Sequence, residues 1–75
     1  MGVFFINSYD LYVAVKKSPQ GLISSLRQAV ILATGEDLEQ DIKNLCVRIS
    51  EHEKYDFAFN EVNFLWGLLE EKLSV

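Results

Sequence analysis

A stripe of apolar residues at helical spacing runs through residues 36–52 and constrains the fold more than any other feature of the chain. Four residues recur at spacings of four, three and four: Leu38, Ile42, Leu45 and Ile49. This repeat places all four side chains on one face of an α-helix. Acidic residues crowd the first turn, where the helix dipole favours negative charge. We therefore predict an amphipathic helix over residues 36–52.

A second helix is delimited by the residues at its ends. Ser18 can cap its N-terminus, and Pro19 suits the first helical position because its missing N–H is not needed there. Gly35 follows the last helical residue, as glycine commonly does. One apolar stripe lies between these signals: Leu22, Leu26, Val30 and Ala33. The second half of the segment is apolar on almost all sides, so we predict a central, buried helix over residues 19–34.

The most apolar segment, residues 56–73, carries its apolar side chains in three rows. We name them the Leu65 row (Ala58, Val62, Leu65, Leu69), the Trp66 row (Phe59, Trp66, Leu73) and the Phe64 row (Phe57, Phe64, Leu68). The polar stripe is narrow: Asn60, Asn63, Gly67, Glu70 and Glu71. A helix this apolar must bury most of its circumference. Three short neighbours are too few to cover it, so we expect an uncovered strip that binds another molecule.

The N-terminal segment has two competing interpretations. A helix over Ser8–Lys17 is favoured by Asn7 as its cap and by Lys16 and Lys17 at the negative end of its dipole. Residues 3–6 and 11–15, however, are rich in aromatic and β-branched side chains, and the four residues between them can turn a hairpin. Charge placement favours the helix, and the hairpin remains the alternative.

The connections between the four segments are short, which favours antiparallel neighbours. We predict an all-α fold, a compact small bundle of three to four short antiparallel helices, in a single domain over residues 1–75. The alternative is an N-terminal β-hairpin plus three helices. Because Cys46 is the one cysteine of the chain, no intrachain disulfide can form. Stability must therefore come from the core or from a partner.

We predict no catalytic, cofactor-binding or metal site. The alternating acids that begin at Asp37 resemble the start of a calcium loop, but its sixth and twelfth positions hold Ile42 and Arg48 instead of glycine and glutamate. His52 lies between two glutamates, yet consecutive residues of a helix point away from one another. Cys46 lies in mid-helix, off the face of His52, and is better explained as a small buried hydrophobe. We therefore do not expect an enzyme.

The net charge of −4 is unevenly distributed. Residues 1–35 carry three cations and one anion, whereas residues 36–75 carry four cations and ten anions. Four of these anions form what we call the acidic rim: Glu36, Asp37, Glu39 and Asp41. An acidic half repels nucleic-acid phosphates and favours a basic protein surface. A helix-turn-helix around Gly35 is disfavoured, since its recognition helix would begin with the acidic rim.

Nothing in the sequence predicts export or a membrane partner. Residues 1–6 have no basic lead-in of the kind that opens a signal peptide. No apolar run approaches the ~20 residues that span a bilayer. A lone free cysteine fits a reducing compartment, so we expect a cytoplasmic protein.

The chain has more aromatic surface than so small a bundle can hide. Eight of the nine aromatic residues form two groups near the ends of the chain: Phe4, Phe5, Tyr9, Tyr12, Phe57, Phe59, Phe64 and Trp66. Aromatic anchors ringed by charge are typical of protein-binding hot spots. We predict a small acidic protein-binding module (an inhibitor, immunity, adaptor or regulatory protein) that docks on a basic partner surface through the acidic rim, Phe57, Phe59 and Trp66. The alternative is an obligate homodimeric structural or assembly subunit, with a small DNA-binding regulator third.

Overall fold

Four helices pack around one apolar core in the computed structural model, which describes residues 7–73. In chain order they are α1 (Ser8–Lys17), α2 (Pro19–Thr34), α3 (Glu39–Glu51) and α4 (Tyr55–Leu73). Every pair of helices is in contact, and none of the described residues lies in a strand. The all-α prediction is confirmed. The hairpin alternative is not supported, because residues 11–15, its second arm, lie within α1.

Local signals set the ends of α1 and α2. Asn7 caps α1, since its Oδ1 accepts the backbone N–H of Asp10 at 3.0 Å. Gly35 ends α2 in the left-handed conformation, with φ at 78°, and its N–H donates to the Ile31 carbonyl. Glycine adopts this conformation without the steric cost of a Cβ. Ser18 precedes α2, but its side chain forms no capping hydrogen bond. Both predicted ranges are confirmed. The prediction that the second half of α2 is buried is wrong for Leu32, which is 71% exposed, and for Ala33, which is also exposed. Phe4 and Phe5 lie outside the described residues.

The predicted start of α3 is three residues too early. Residues 36–38 connect α2 to α3, and α3 begins at Glu39. Asp37 is held in this connection by the Arg27 guanidinium, at 2.8 and 3.0 Å, and accepts the backbone N–H of Glu39 at 3.0 Å. The Asp37 carboxylate thus satisfies one of the free N–H groups at the start of the helix while lying outside it. At the other end α3 stops at Glu51, and His52 is extended.

The core is apolar throughout the described part of the chain, with no buried polar side chain. Its fully buried members are Leu11, Val15, Leu26, Val30, Ile42, Cys46, Ile49, Ala58, Val62 and Leu65. The burial of Cys46 is as predicted, and it raises the pKa of the thiol to about 11. In α3 the buried line passes through Ile42, Cys46 and Ile49, while Leu38 and Leu45 are half-buried. No helix within residues 7–73 is long and apolar enough to cross a membrane.

The connection between α3 and α4 is fixed by side chains of α1. Lys16 Nζ donates to the carbonyls of Ser50 and His52, at 2.9 and 2.6 Å. A cation is favoured there because the C-terminal end of a helix is negative. The Tyr12 hydroxyl donates to the Glu53 carbonyl at 3.3 Å. These bonds position the start of α4, which begins one residue earlier than predicted.

Candidate functional site

The three rows of α4 differ in how far the neighbouring helices cover them. The Leu65 row is buried along its whole length. In the Trp66 row, Trp66 and Leu73 are half-buried against the core and Phe59 is 48% exposed. In the Phe64 row, Phe57 is 64% and Phe64 is 72% exposed. The least covered strip of α4 is therefore the Phe64 row.

A cluster of rings covers the side of α4 that faces α1. Tyr55 packs edge-to-face against Tyr9, Tyr12 and Phe59, with ring centroids 5.1, 5.4 and 5.8 Å away. Its hydroxyl also shares a hydrogen bond with the Ser8 hydroxyl at 3.0 Å. Edge-to-face pairs contribute ~0.5–1.5 kcal/mol each beyond the area they bury. Phe59 therefore has a structural role in this cluster although half of its surface is exposed.

The Phe64 row instead borders a groove between α3 and α4, which we call the α3–α4 groove. Its volume is about 410 Å³, and it is lined by Asp41, Asn44, Leu45, Arg48, Asn60, Glu61, Phe64 and Leu68. Leu45 and Leu68 are half-buried and pack against the core. Phe64 stands exposed at the edge, among polar side chains. The groove thus combines an apolar interior with polar margins, as binding sites for other molecules commonly do.

Phe57 extends this apolar surface beyond the groove. It precedes Phe64 by seven residues, so the two rings lie on the same side of α4, ~10 Å apart along its axis. Neither ring contacts another aromatic ring within residues 7–73. Near the same end, His52 Nε2 lies 3.6 Å from Glu61 Oε1 and joins the end of α3 to α4. The exposed rings are therefore held on a well-anchored helix.

Two members of the acidic rim are paired within the chain. The Asp37 carboxylate lies 2.8 Å from an Arg27 guanidinium nitrogen, and Glu36 Oε1 lies 2.9 Å from Lys72 Nζ. The hydrogen bond from Arg27 lowers the pKa of Asp37, and the hydrogen bond to Glu36 raises the pKa of Lys72. These two carboxylates therefore already form ion pairs within the chain and are less available to bind a partner.

The other two members of the acidic rim lie in the first turn of α3. Glu39 and Asp41 are exposed, and Asp41 forms no ion pair with any described residue. Asp41 also lines the α3–α4 groove, as does Arg48, which likewise has no ion-pair partner among residues 7–73. The groove therefore presents unpaired charges of both signs beside its apolar interior.

The predicted binding residues do not form one surface. Asp41 lines the α3–α4 groove, and Phe57 shares a row with Phe64, which also lines it. Phe59 packs against Tyr55 on another side of α4, and the helical spacing puts Trp66 in the row of Phe59. The prediction also omitted Phe64, the most exposed ring of the described chain. The helical spacing already groups Phe64 with Phe57 in one row, but it does not show that this row is the least covered one.

Within residues 7–73, no three His, Cys, Asp or Glu side chains are grouped so that they could hold a metal ion. No protein-family model, curated protein or solved structure matches the chain. The interpretation of the site therefore depends on its own geometry and charge.

Proposed function

We propose that this chain is a small acidic protein-binding module, an inhibitor, immunity, adaptor or regulatory protein of the cytoplasm, that acts by docking on another protein. The observation that carries the proposal is the exposure of Phe57 and Phe64 on one side of α4, at 64% and 72%. Burying such a ring yields ~1.5–3 kcal/mol. No ring contact within residues 7–73 recovers that free energy. A partner that covers both rings would recover it.

The charge of α4 supports a basic partner. Residues 55–73 carry four acids, and their one cation, Lys72, is bound to Glu36. Such a surface attracts lysine- and arginine-rich proteins and speeds their association. It repels nucleic-acid phosphates, so the partner proposed is a protein.

The activity proposed is binding rather than catalysis. Cys46, the one cysteine, lies in the core, and its thiol has a pKa raised to about 11 by burial. A thiol in this environment is not available as a nucleophile. The residues that line the α3–α4 groove are instead suited to contact and charge recognition.

Affinity capture followed by reconstitution tests the proposal. The baits are the wild-type chain, the double variant Phe57→Ala/Phe64→Ala, and Phe59→Ala as a matched control that also removes one exposed ring. A protein captured by the wild type and by Phe59→Ala, but lost with the double variant, is then produced pure. We expect the double variant to weaken its binding at least ~10-fold in titration calorimetry, which corresponds to ~1.4 kcal/mol.

Two results count against this function. If every captured protein binds the wild type and the double variant equally, the exposed rings are not a docking surface. If light scattering gives twice the protomer mass of 8.6 kDa, and the double variant restores the monomer, the chain is the homodimeric assembly subunit instead. Circular dichroism of each variant shows that it is folded before either comparison is made.

A further inference from the structure

We propose that the α3–α4 groove receives one basic amphipathic helix from the partner protein, with an apolar side chain seated among Leu45, Phe64 and Leu68. This inference rests on the proposed function and specifies its binding site and the kind of segment that fills it. Two observations carry it: the form of the groove and its charge.

The form of the groove favours a helical occupant. The walls are two helices whose backbone N–H and C=O groups are bonded within each helix, so an extended peptide would find no backbone partner along them. A helix satisfies its own backbone and needs only side-chain contacts. The apolar surface from Phe57 to Leu68 extends ~16 Å, or about three helical turns. That length suits a helix with apolar residues spaced three and four apart on one side.

The charge of the groove favours a basic occupant over a second copy of this chain. Asp41 and Glu61 line the groove, and Arg48 is the single cation among the described residues that do so. Three more acids lie on α4 outside the groove: Asp56, Glu70 and Glu71. A second copy that docked through α4 would bring these acids against acids of the same kind, which is unfavourable. A helix that carries lysine or arginine beside its apolar stripe meets opposite charges instead.

The test uses a synthetic probe of about 18 residues, or five helical turns, composed of leucine and lysine in amphipathic order. A matched peptide replaces each lysine with glutamate. Each peptide is titrated into the ¹⁵N-labelled full chain, and amide chemical shifts are followed. We expect the lysine peptide to shift resonances of groove residues, Leu45, Arg48, Phe64 and Leu68 among them. The glutamate peptide should leave them unchanged.

Variants then separate the parts of the inference. Phe64→Ala should weaken the lysine peptide at least ~10-fold, while the matched control Phe59→Ala should change its affinity less than ~3-fold. Asp41→Asn should weaken binding and Arg48→Ala should strengthen it, since the first removes an attraction and the second a repulsion.

The inference is overturned if the lysine peptide fails to bind, if Phe64→Ala and Phe59→Ala weaken it equally, or if the shifts centre on Tyr9 and Phe59. If the glutamate peptide binds as tightly as the lysine peptide, the groove does not select a basic helix. Shifts of the same groove residues on raising protein concentration, without peptide, make a second copy the occupant. The results with the peptides do not affect a native partner whose capture depends on Phe57 and Phe64, so the proposed function would survive them. Self-association through the groove would instead count against the proposed function as well.

Discussion

The Trp66 row and the Phe64 row are two sides of the same helix with similar composition and different surroundings. Each has two aromatic residues seven positions apart followed by a leucine. One side meets the tyrosines of α1, which pack against Tyr55, and Tyr55 in turn packs against Phe59. The other side meets α3, which presents polar side chains there: Asp41, Asn44 and Arg48. The exposure of an apolar side chain in this fold is therefore decided by the neighbouring helix rather than by α4 itself.

The largest expected difference in the free energy of unfolding is between substitutions at two adjacent residues of α4. Leu65 is fully buried, whereas Phe64 is 72% exposed. Leu65→Ala should cost about 2–5 kcal/mol because it removes core contacts and leaves a cavity. Phe64→Ala removes a larger side chain but should cost less than ~0.5 kcal/mol, since solvent already surrounds the ring.

Urea denaturation followed by circular dichroism measures both values, and equal slopes show that the two unfolding reactions are comparable. If Phe64→Ala destabilised the chain as much as Leu65→Ala, the Phe64 row would be covered in solution. The contrast between the two sides of α4 would then disappear.

A smaller difference in the free energy of unfolding is expected between substitutions in the Trp66 row and in the Phe64 row. Trp66 is half-buried against the core, and Phe57 is 64% exposed. Trp66→Ala should therefore cost about 1–3 kcal/mol, less than a fully buried ring, because only part of its surface is lost from the core. Phe57→Ala should change the free energy of unfolding by less than ~0.5 kcal/mol. Thermal unfolding followed by circular dichroism compares the two variants. A similar loss of stability in both would contradict the placement of Trp66 against the core and of Phe57 on the surface.

Helix ends defined by local signals were predictable from sequence. Asn7 and Gly35 act within a few residues of themselves, and the ranges of α1 and α2 follow from them. The start of α3 was not predictable in the same way. Asp37 is drawn out of the helix by Arg27, a residue of α2 ten positions earlier. An acid near the start of a helix can be stabilised by the helix dipole or by a cation elsewhere in the chain. The charge pattern alone does not show which of the two it will interact with.

The candidate site was only partly predictable for a related reason. The helical repeat correctly separates the three rows of α4, because spacing fixes which side chains share a face. It does not show which helix lies beside each row. The prediction therefore combined Phe57 with Phe59 and Trp66, and it omitted Phe64. In α3 the same limit applies, since Cys46 takes the buried position expected for Leu45, and Leu45 lines the groove instead.

Gly67 and Gly35 give the next smaller contrast in stability. Gly67 is helical and faces open space, whereas Gly35 has a φ of 78°. Gly67→Ala should stabilise the chain by about 0.5–1 kcal/mol, because alanine loses less conformational entropy on folding into a helix. Gly35→Ala should destabilise it by about 1 kcal/mol, since a Cβ is strained in the left-handed region. A destabilising Gly67→Ala, measured in the same urea series, would mean that position 67 is packed and not part of an open surface.

The smallest expected effect on stability comes from Asp37, one of the two acidic-rim residues that form ion pairs within the chain. Arg27, through its hydrogen bond, lowers the pKa of Asp37 below the ordinary value of 3.8. The ion pair therefore contributes stability above that value, and the contribution is lost as pH falls through the lower pKa of the folded chain. Asp37→Asn should lower the urea midpoint slightly at about pH 6 and not at about pH 2. A cycle of Asp37→Asn, Arg27→Gln and the double variant isolates the coupling between the two side chains. The opposite result is an absence of coupling at about pH 6. It would show that Asp37 acts mainly as an acceptor for the Glu39 N–H, which an asparagine oxygen also provides, and that the ion pair with Arg27 adds no stability.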